Sequence, residues 1–192
     1  MPFNLPIFLT WLRIVAIPLL IAVYYVPDSW LQGHSRDLAA TVLFCAAAIT
    51  DWFDGYLARK LNQTSAFGAF LDPVADKLMV AAALIVLVQL GRTDVIIATI
   101  IIGREITISA LREWMAQIGA HKSVAVSMIG KIKTMAQMLA IPMLLHHAPI
   151  AGIDMKASGT WLIYIAAVLT LWSMGYYMRM AWPEIVKRER HL

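Results

Sequence analysis

Four aspartates stand at fixed intervals in "DWFDGYLARKLNQTSAFGAFLDPVADK", residues 51–77. Asp51 and Asp54 are three residues apart and Asp72 and Asp76 are four apart, so on helices each pair shares a face. Gly55 and Ala58 extend the first face by a turn, and Gly68 precedes Asp72 by a turn on the second. These small residues let helix backbones approach and leave room for a bulky ligand. Four carboxylates this close repel one another and are costly to desolvate. The cations within the segment, Arg59 and Lys77 among them, are fewer than the carboxylates. Divalent cations resolve the conflict. All-oxygen ligation without a nearby His or Cys suits Mg²⁺ or Mn²⁺ better than zinc. Two such ions sharing carboxylates stabilise the attacking and leaving oxygens of a displacement at phosphorus.

A blander reading exists for one of the four. Asp72 before Pro73 suits a helix N-cap followed by proline at the first helical position. A helix beginning near Ser65 would instead carry Pro73 as an interior kink. Local signals leave both open.

A second group of residues is cationic. In "GREITISALREWMAQIG", Arg104 and Arg112 are eight apart, about two turns on one helical face. "VSMIGKIKTMAQ" adds Lys131 and Lys133, and "NLPIFLTWLR" adds Thr10 and Arg13. Fixed cations beside a metal site suit a phosphate on a second substrate, because Arg and Lys are the usual phosphate ligands. The competing readings are a structural pair of Arg104 with Glu105, and snorkelling of Arg112 and Lys133 to lipid headgroups. Cys45 is the only cysteine, which excludes an intrachain disulfide and a cysteine-cluster metal site.

The elements that must position these residues are apolar. The chain has 192 residues, is 60% hydrophobic and has a mean hydropathy of +0.70. Spans are expected at about Ile7–Val26, Leu38–Leu57, Asp72–Leu90, Val95–Trp114, Val126–His147 and Trp161–Arg179, each near the length that crosses a hydrocarbon core. The expected fold is an all-α integral membrane protein of about six transmembrane helices, one domain over residues 1–192. "MPFNLPIF" is read as a short interfacial segment ahead of the first span. Arg36, Arg92 and Lys156 fall in the first, third and fifth connections, and the other thirteen of the sixteen Lys and Arg lie on the opposite side or in the tail. Positive-inside bias then puts both termini and the Asp51–Lys77 segment in the cytoplasm. No nucleic-acid partner is expected; the basic tail suits anionic lipid.

Asp51, Asp54, Gly55, Ala58, Arg59, Gly68, Asp72 and Asp76 fit D-x2-D-G-x2-A-R-x8-G-x3-D-x3-D without a departure, eight fixed positions over 26 residues. The segment resembles the signature of the CDP-alcohol phosphotransferases, membrane enzymes that move a phosphatidyl-type group from a CDP-linked donor to an alcohol. The resemblance implies that Asp51, Asp54, Asp72 and Asp76 bind two divalent ions and that Asp76 is also the general base. It implies that Gly55 and Ala58 give the cytidine room, with Gly68 also on the donor side, and that Arg59 contacts the donor's diphosphate. "NLPIFLTWLRIVAIPLL", "REITISALREW" and "GKIKTMAQM" are similar to bacterial members that use glycerol 3-phosphate. The implied reaction joins CDP-diacylglycerol and sn-glycerol 3-phosphate to give phosphatidylglycerol phosphate and CMP. Thr10, Arg13, Arg104, Arg112, Lys131 and Lys133 would hold the acceptor phosphate. A homodimer in the bacterial inner membrane is also implied. The rivals are the same chemistry with inositol phosphate, serine or phosphatidylglycerol as acceptor, and, in another class, a divalent-cation carrier.

Overall fold

The computed structural model describes residues 5–60, 66–117 and 128–189. Its helices are α1 (Leu5–Ala22), α2 (Gly33–Lys60), α3 (Ala66–Gln89), α4 (Val95–Gln117), α5 (Met128–His146) and α6 (Met155–Glu189), with a 3-10 turn, Val23–Tyr25, after α1. Among the described residues there is no strand, only a lone antiparallel bridge between Ile150 and Ile153. The chain is therefore all-α, and its helices follow the expected apolar segments in order. Among the described residues two stretches, Ile7–Tyr25 and Met155–Pro183, are long and apolar enough to cross a membrane. The other four helices carry charged side chains of the two clusters, or of the outer connections, within their length, which lowers their apolarity.

Helix α3 begins at Ala66, which settles the two readings of Pro73. Asp72 lies inside the helix and not at its cap, and Pro73 occupies an interior position where it removes one ladder hydrogen bond. The far end of α3 is closed by Gly91, whose φ of 64° is left-handed. The Gly91 and Arg92 amides bond back to the Val88 and Leu87 carbonyls at 3.0 and 2.9 Å, the wrap that a C-terminal glycine makes possible.

Helix α1 packs on α2 and α3, α6 packs on α5 and α4, and α2 with α5 joins the two halves. The α5–α6 seam is close at Gly159, where a Cβ would stand 2.9 Å from Leu144 Cγ. Leu20, Phe44, Leu84, Leu87, Ile101, Ile141 and Leu144 form the main core, and Ile108, Met115 and Tyr177 a second cluster between α4 and α6. Much of the rest of the interior is small, with Ala40, Ala47, Ala83, Ala140 and Ala167 buried. The outside is apolar: Trp172 is 69% exposed, Val168 66% and Ile96 65%. Small residues inside and large apolar ones outside suit helices packed in lipid, where burial of apolar surface no longer drives association.

At the end remote from the aspartate pairs, Arg92 ties three helices together. Its Nη2 donates to both carboxylate oxygens of Asp37 on α2, at 2.9 and 2.7 Å. Its Nη1 donates to the Leu144 and Leu145 carbonyls at the end of α5, at 3.2 and 2.6 Å. Tyr24 Oη also donates to Asp37, at 3.3 Å.

Candidate active site

The antiparallel course of α1 and α2 brings the start of α1 against the end of α2. Thr10 and Arg13, three apart on α1, point from one face. Arg13 Nη1 lies 2.7 Å from Asp51 Oδ1, and Thr10 Oγ1 donates to Asp72 Oδ1 at 2.5 Å. Both α1 residues are almost fully buried, at 1% and 2% exposure for Thr10 and Arg13. One α1 face thus orients a carboxylate from each of the two aspartate-bearing helices. Sequence reasoning assigned Thr10 and Arg13 to an acceptor phosphate; their partners here are Asp72 and Asp51.

Asp76 and Arg13 are polar walls of a small cleft otherwise bounded by residues such as Phe44, Ala47, Met79 and Met138. Asp76 lies within electrostatic reach of Asp51, Arg13, Glu105 and Lys77. Three of the four aspartates therefore converge on one region at the same end of the bundle. Gly68 is buried on α3, one turn before Asp72. Asp54, Gly55, Ala58 and Arg59 follow Asp51 along α2, and their side chains lie outside the description, as does that of Lys131 on α5.

The donor set fits a hard divalent cation. Carboxylate oxygens on α2 and α3 are presented from facing helices, and Thr10 and Arg13 hold two of them in orientation, as outer groups do around metal ligands. Among the described residues no three such side chains close on one point. Asp54, the fourth member, lies outside that description.

The cationic group assembles beside the carboxylates from α4 and α5, with α6 supplying neutral partners. Arg104 Nη1 donates to Glu105 Oε1 at 2.8 Å, and Lys133 Nζ donates to the same oxygen. Arg104 Nη2 reaches Ser173 Oγ at 3.4 Å, and its guanidinium lies 5.9 Å from the Tyr177 ring centroid. Arg112 reaches Tyr177 Oη at 3.4 Å and sits 5.3 Å from the same ring. The expected cations Arg104, Arg112 and Lys133 are thus brought together around Tyr177 and Glu105. The Arg104–Glu105 pair foreseen as a structural alternative does form, but in a wider cluster.

Tyr177, Ser173 and the Glu105–Lys133 pair were not singled out by sequence reasoning. Ser173 and Tyr177 are four apart on α6 and share a face, a signal that any helix offers by chance. Glu105 and Lys133 are 28 residues apart on different helices, so no local pattern couples them.

Against known proteins, residues 3–172 match the family described as CDP-alcohol phosphatidyltransferase. The chain is 47% identical over 188 residues to the CDP-diacylglycerol–glycerol-3-phosphate 3-phosphatidyltransferase of Escherichia coli (strain K12), covering 97% of this chain and 99% of that protein. The protein of the same name from Salmonella choleraesuis (strain SC-B67) is 49% identical over the same shares, and that of Shigella flexneri serotype 5b (strain 8401) is 47% identical.

Proposed function

Because this chain belongs to the CDP-alcohol phosphatidyltransferase family, we propose that it transfers the phosphatidyl group of CDP-diacylglycerol to sn-glycerol 3-phosphate. The products are phosphatidylglycerol phosphate and CMP. The observation that carries the reading is likeness over nearly the whole chain to relatives named for this reaction. It is supported by the aspartates and the phosphate-suited cations lying at one end of the same bundle.

Asp51, Asp54, Asp72 and Asp76 would hold two divalent ions, Mg²⁺ or Mn²⁺. When bound, such ions neutralise a diphosphate and ease departure of CMP. Thr10 and Arg13 fix the carboxylates of Asp72 and Asp51. Asp76 takes the proton of the acceptor hydroxyl as its oxygen bonds to the phosphatidyl phosphorus, and the bond from that phosphorus to the CMP oxygen breaks. Gly55, Ala58, Arg59 and Gly68 serve the donor. Arg104, Arg112, Lys131 and Lys133 hold the phosphate of glycerol 3-phosphate, fixing the attacking hydroxyl at the donor.

The same reading sets the protein in a bacterial cytoplasmic membrane with six spans, termini and site on the cytoplasmic side, as a homodimer. Acyl chains then stay in the bilayer while glycerol 3-phosphate arrives from water. The test is an acceptor panel: purified protein with labelled CDP-diacylglycerol and, in turn, glycerol 3-phosphate, inositol phosphate, serine and phosphatidylglycerol. CMP release with glycerol 3-phosphate is expected. Release with another acceptor alone would replace the assignment within the family, and metal flux without CMP release would favour a carrier.

A further inference from the structure

One carboxylate stands among the cations that the proposed reaction needs. Glu105 Oε1 accepts from Arg104 Nη1 on its own helix and from Lys133 Nζ across to α5. Among the described residues α4 and α5 do not pack on each other, and α6 packs on both. The Glu105–Lys133 pair therefore spans a gap between two helices that are otherwise joined through a third. The cations are buried, at 7% side-chain exposure for Arg104 and 1% for Lys133, whereas Glu105 is 25% exposed. Glu105 is thus the more open member of the cluster.

The charges are consistent with one ligand class. Lys133 lies within electrostatic reach of Arg104, Arg112 and Glu105. These cations outnumber the Glu105 carboxylate, and the net positive charge suits a phosphate monoester, which is dianionic near neutral pH.

We propose that Glu105 is a positioning residue for the acceptor phosphate: it converges Arg104 and Lys133 on one point and lowers the net positive charge that the phosphate meets. This rests on the acceptor reading above. Glutamine at this position keeps an oxygen for both donors and removes the charge, whereas aspartate keeps the charge and shortens the reach. The two changes therefore act in opposite directions on anion binding.

The test compares wild type, Glu105→Gln and Glu105→Asp, with glycerol 3-phosphate as substrate and inorganic phosphate as competitive probe. Glu105→Gln is expected to lower both the KM for glycerol 3-phosphate and the inhibition constant of phosphate by roughly tenfold. Its turnover falls as anionic product leaves more slowly. Glu105→Asp is expected to raise the same two constants by roughly tenfold. The KM for CDP-diacylglycerol stays at its wild-type value in both. Both variants moving the constants in one direction, or the donor KM moving with them, would overturn the proposal. If the glutamine variant does not fold, the aspartate variant decides: an unchanged KM for glycerol 3-phosphate sinks it. Wild type that neither uses glycerol 3-phosphate nor responds to phosphate would instead sink the acceptor reading.

Discussion

Arg13 Nη1 lies 2.7 Å from Asp51 Oδ1, the arginine side chain 1% exposed and the aspartate 44%. A guanidinium with its stem in the core and its head on an open carboxylate offsets charge that a metal would otherwise balance. Arg13 and a divalent ion would therefore compete for Asp51. Arg13→Gln removes the competitor and the charged group that orients Asp51 together. The metal concentration for half-maximal activity should fall, while turnover at saturating metal should fall by about 10- to 100-fold, the loss of one to two charge-assisted bonds. A metal titration of initial rates reads both. Unchanged turnover would confine Arg13 to packing.

Asp76 shares its cleft with Arg13 and has apolar walls on the other sides. A general base contributes on the order of 10²- to 10⁴-fold, so Asp76→Asn should lower turnover by about that factor. Binding of CDP-diacylglycerol in the presence of metal, followed by calorimetry in detergent, should remain, because Asp51, Asp54 and Asp72 are still present. Turnover near wild type would remove Asp76 from the proton-transfer step.

Arg104 is held by Glu105, Ser173 and the Tyr177 ring. Arg104→Lys keeps a charge but cannot reproduce a planar fork that serves several partners. Loss of one or two hydrogen bonds to a charged phosphate corresponds to roughly 10- to 100-fold in KM for glycerol 3-phosphate. The KM for CDP-diacylglycerol should change far less. Equal change in both constants would make Arg104 a structural residue.

How much of this was legible depended on whether partners share a helix. The pairs Asp51/Asp54 and Asp72/Asp76 were visible because a helical period is a local property of the chain. Lone cations such as Arg104 and Arg13 were visible as charges in apolar segments, which need a reason. Their geometry was not, since Lys133 meets Glu105 across 28 residues and Arg13 meets Asp51 from another helix. The start of α3 was undecidable from sequence because Asp72–Pro73 satisfies the chemistry of a helix start and of a kinked interior alike. Packing of α1 against the early turns of α3 gives those turns partners, and Asp72 becomes a helical residue facing Thr10.

Asp37 and Arg92 went unremarked as a pair for the same reason, at 55 residues apart. Their side chains are each 14% exposed, and the arginine also closes the end of α5 through the Leu144 and Leu145 carbonyls. This joint is remote from both clusters, so it should affect stability and not chemistry. Arg92→Met leaves the Asp37 carboxylate with the Tyr24 hydroxyl but without its arginine in a largely dry setting, and breaking such a pair costs about 3–5 kcal/mol when fully buried. Residual exposure reduces that, and a loss of about 2–3 kcal/mol is expected. The midpoint of thermal unfolding in detergent should fall by several degrees, while both KM values stay at wild type. Adding Asp37→Asn to Arg92→Met should restore part of the loss, because the remaining charge is gone. A double variant as unstable as the sum of its two singles would show that the contact carries no coupling and that Arg92 acts through the α5 carbonyls alone.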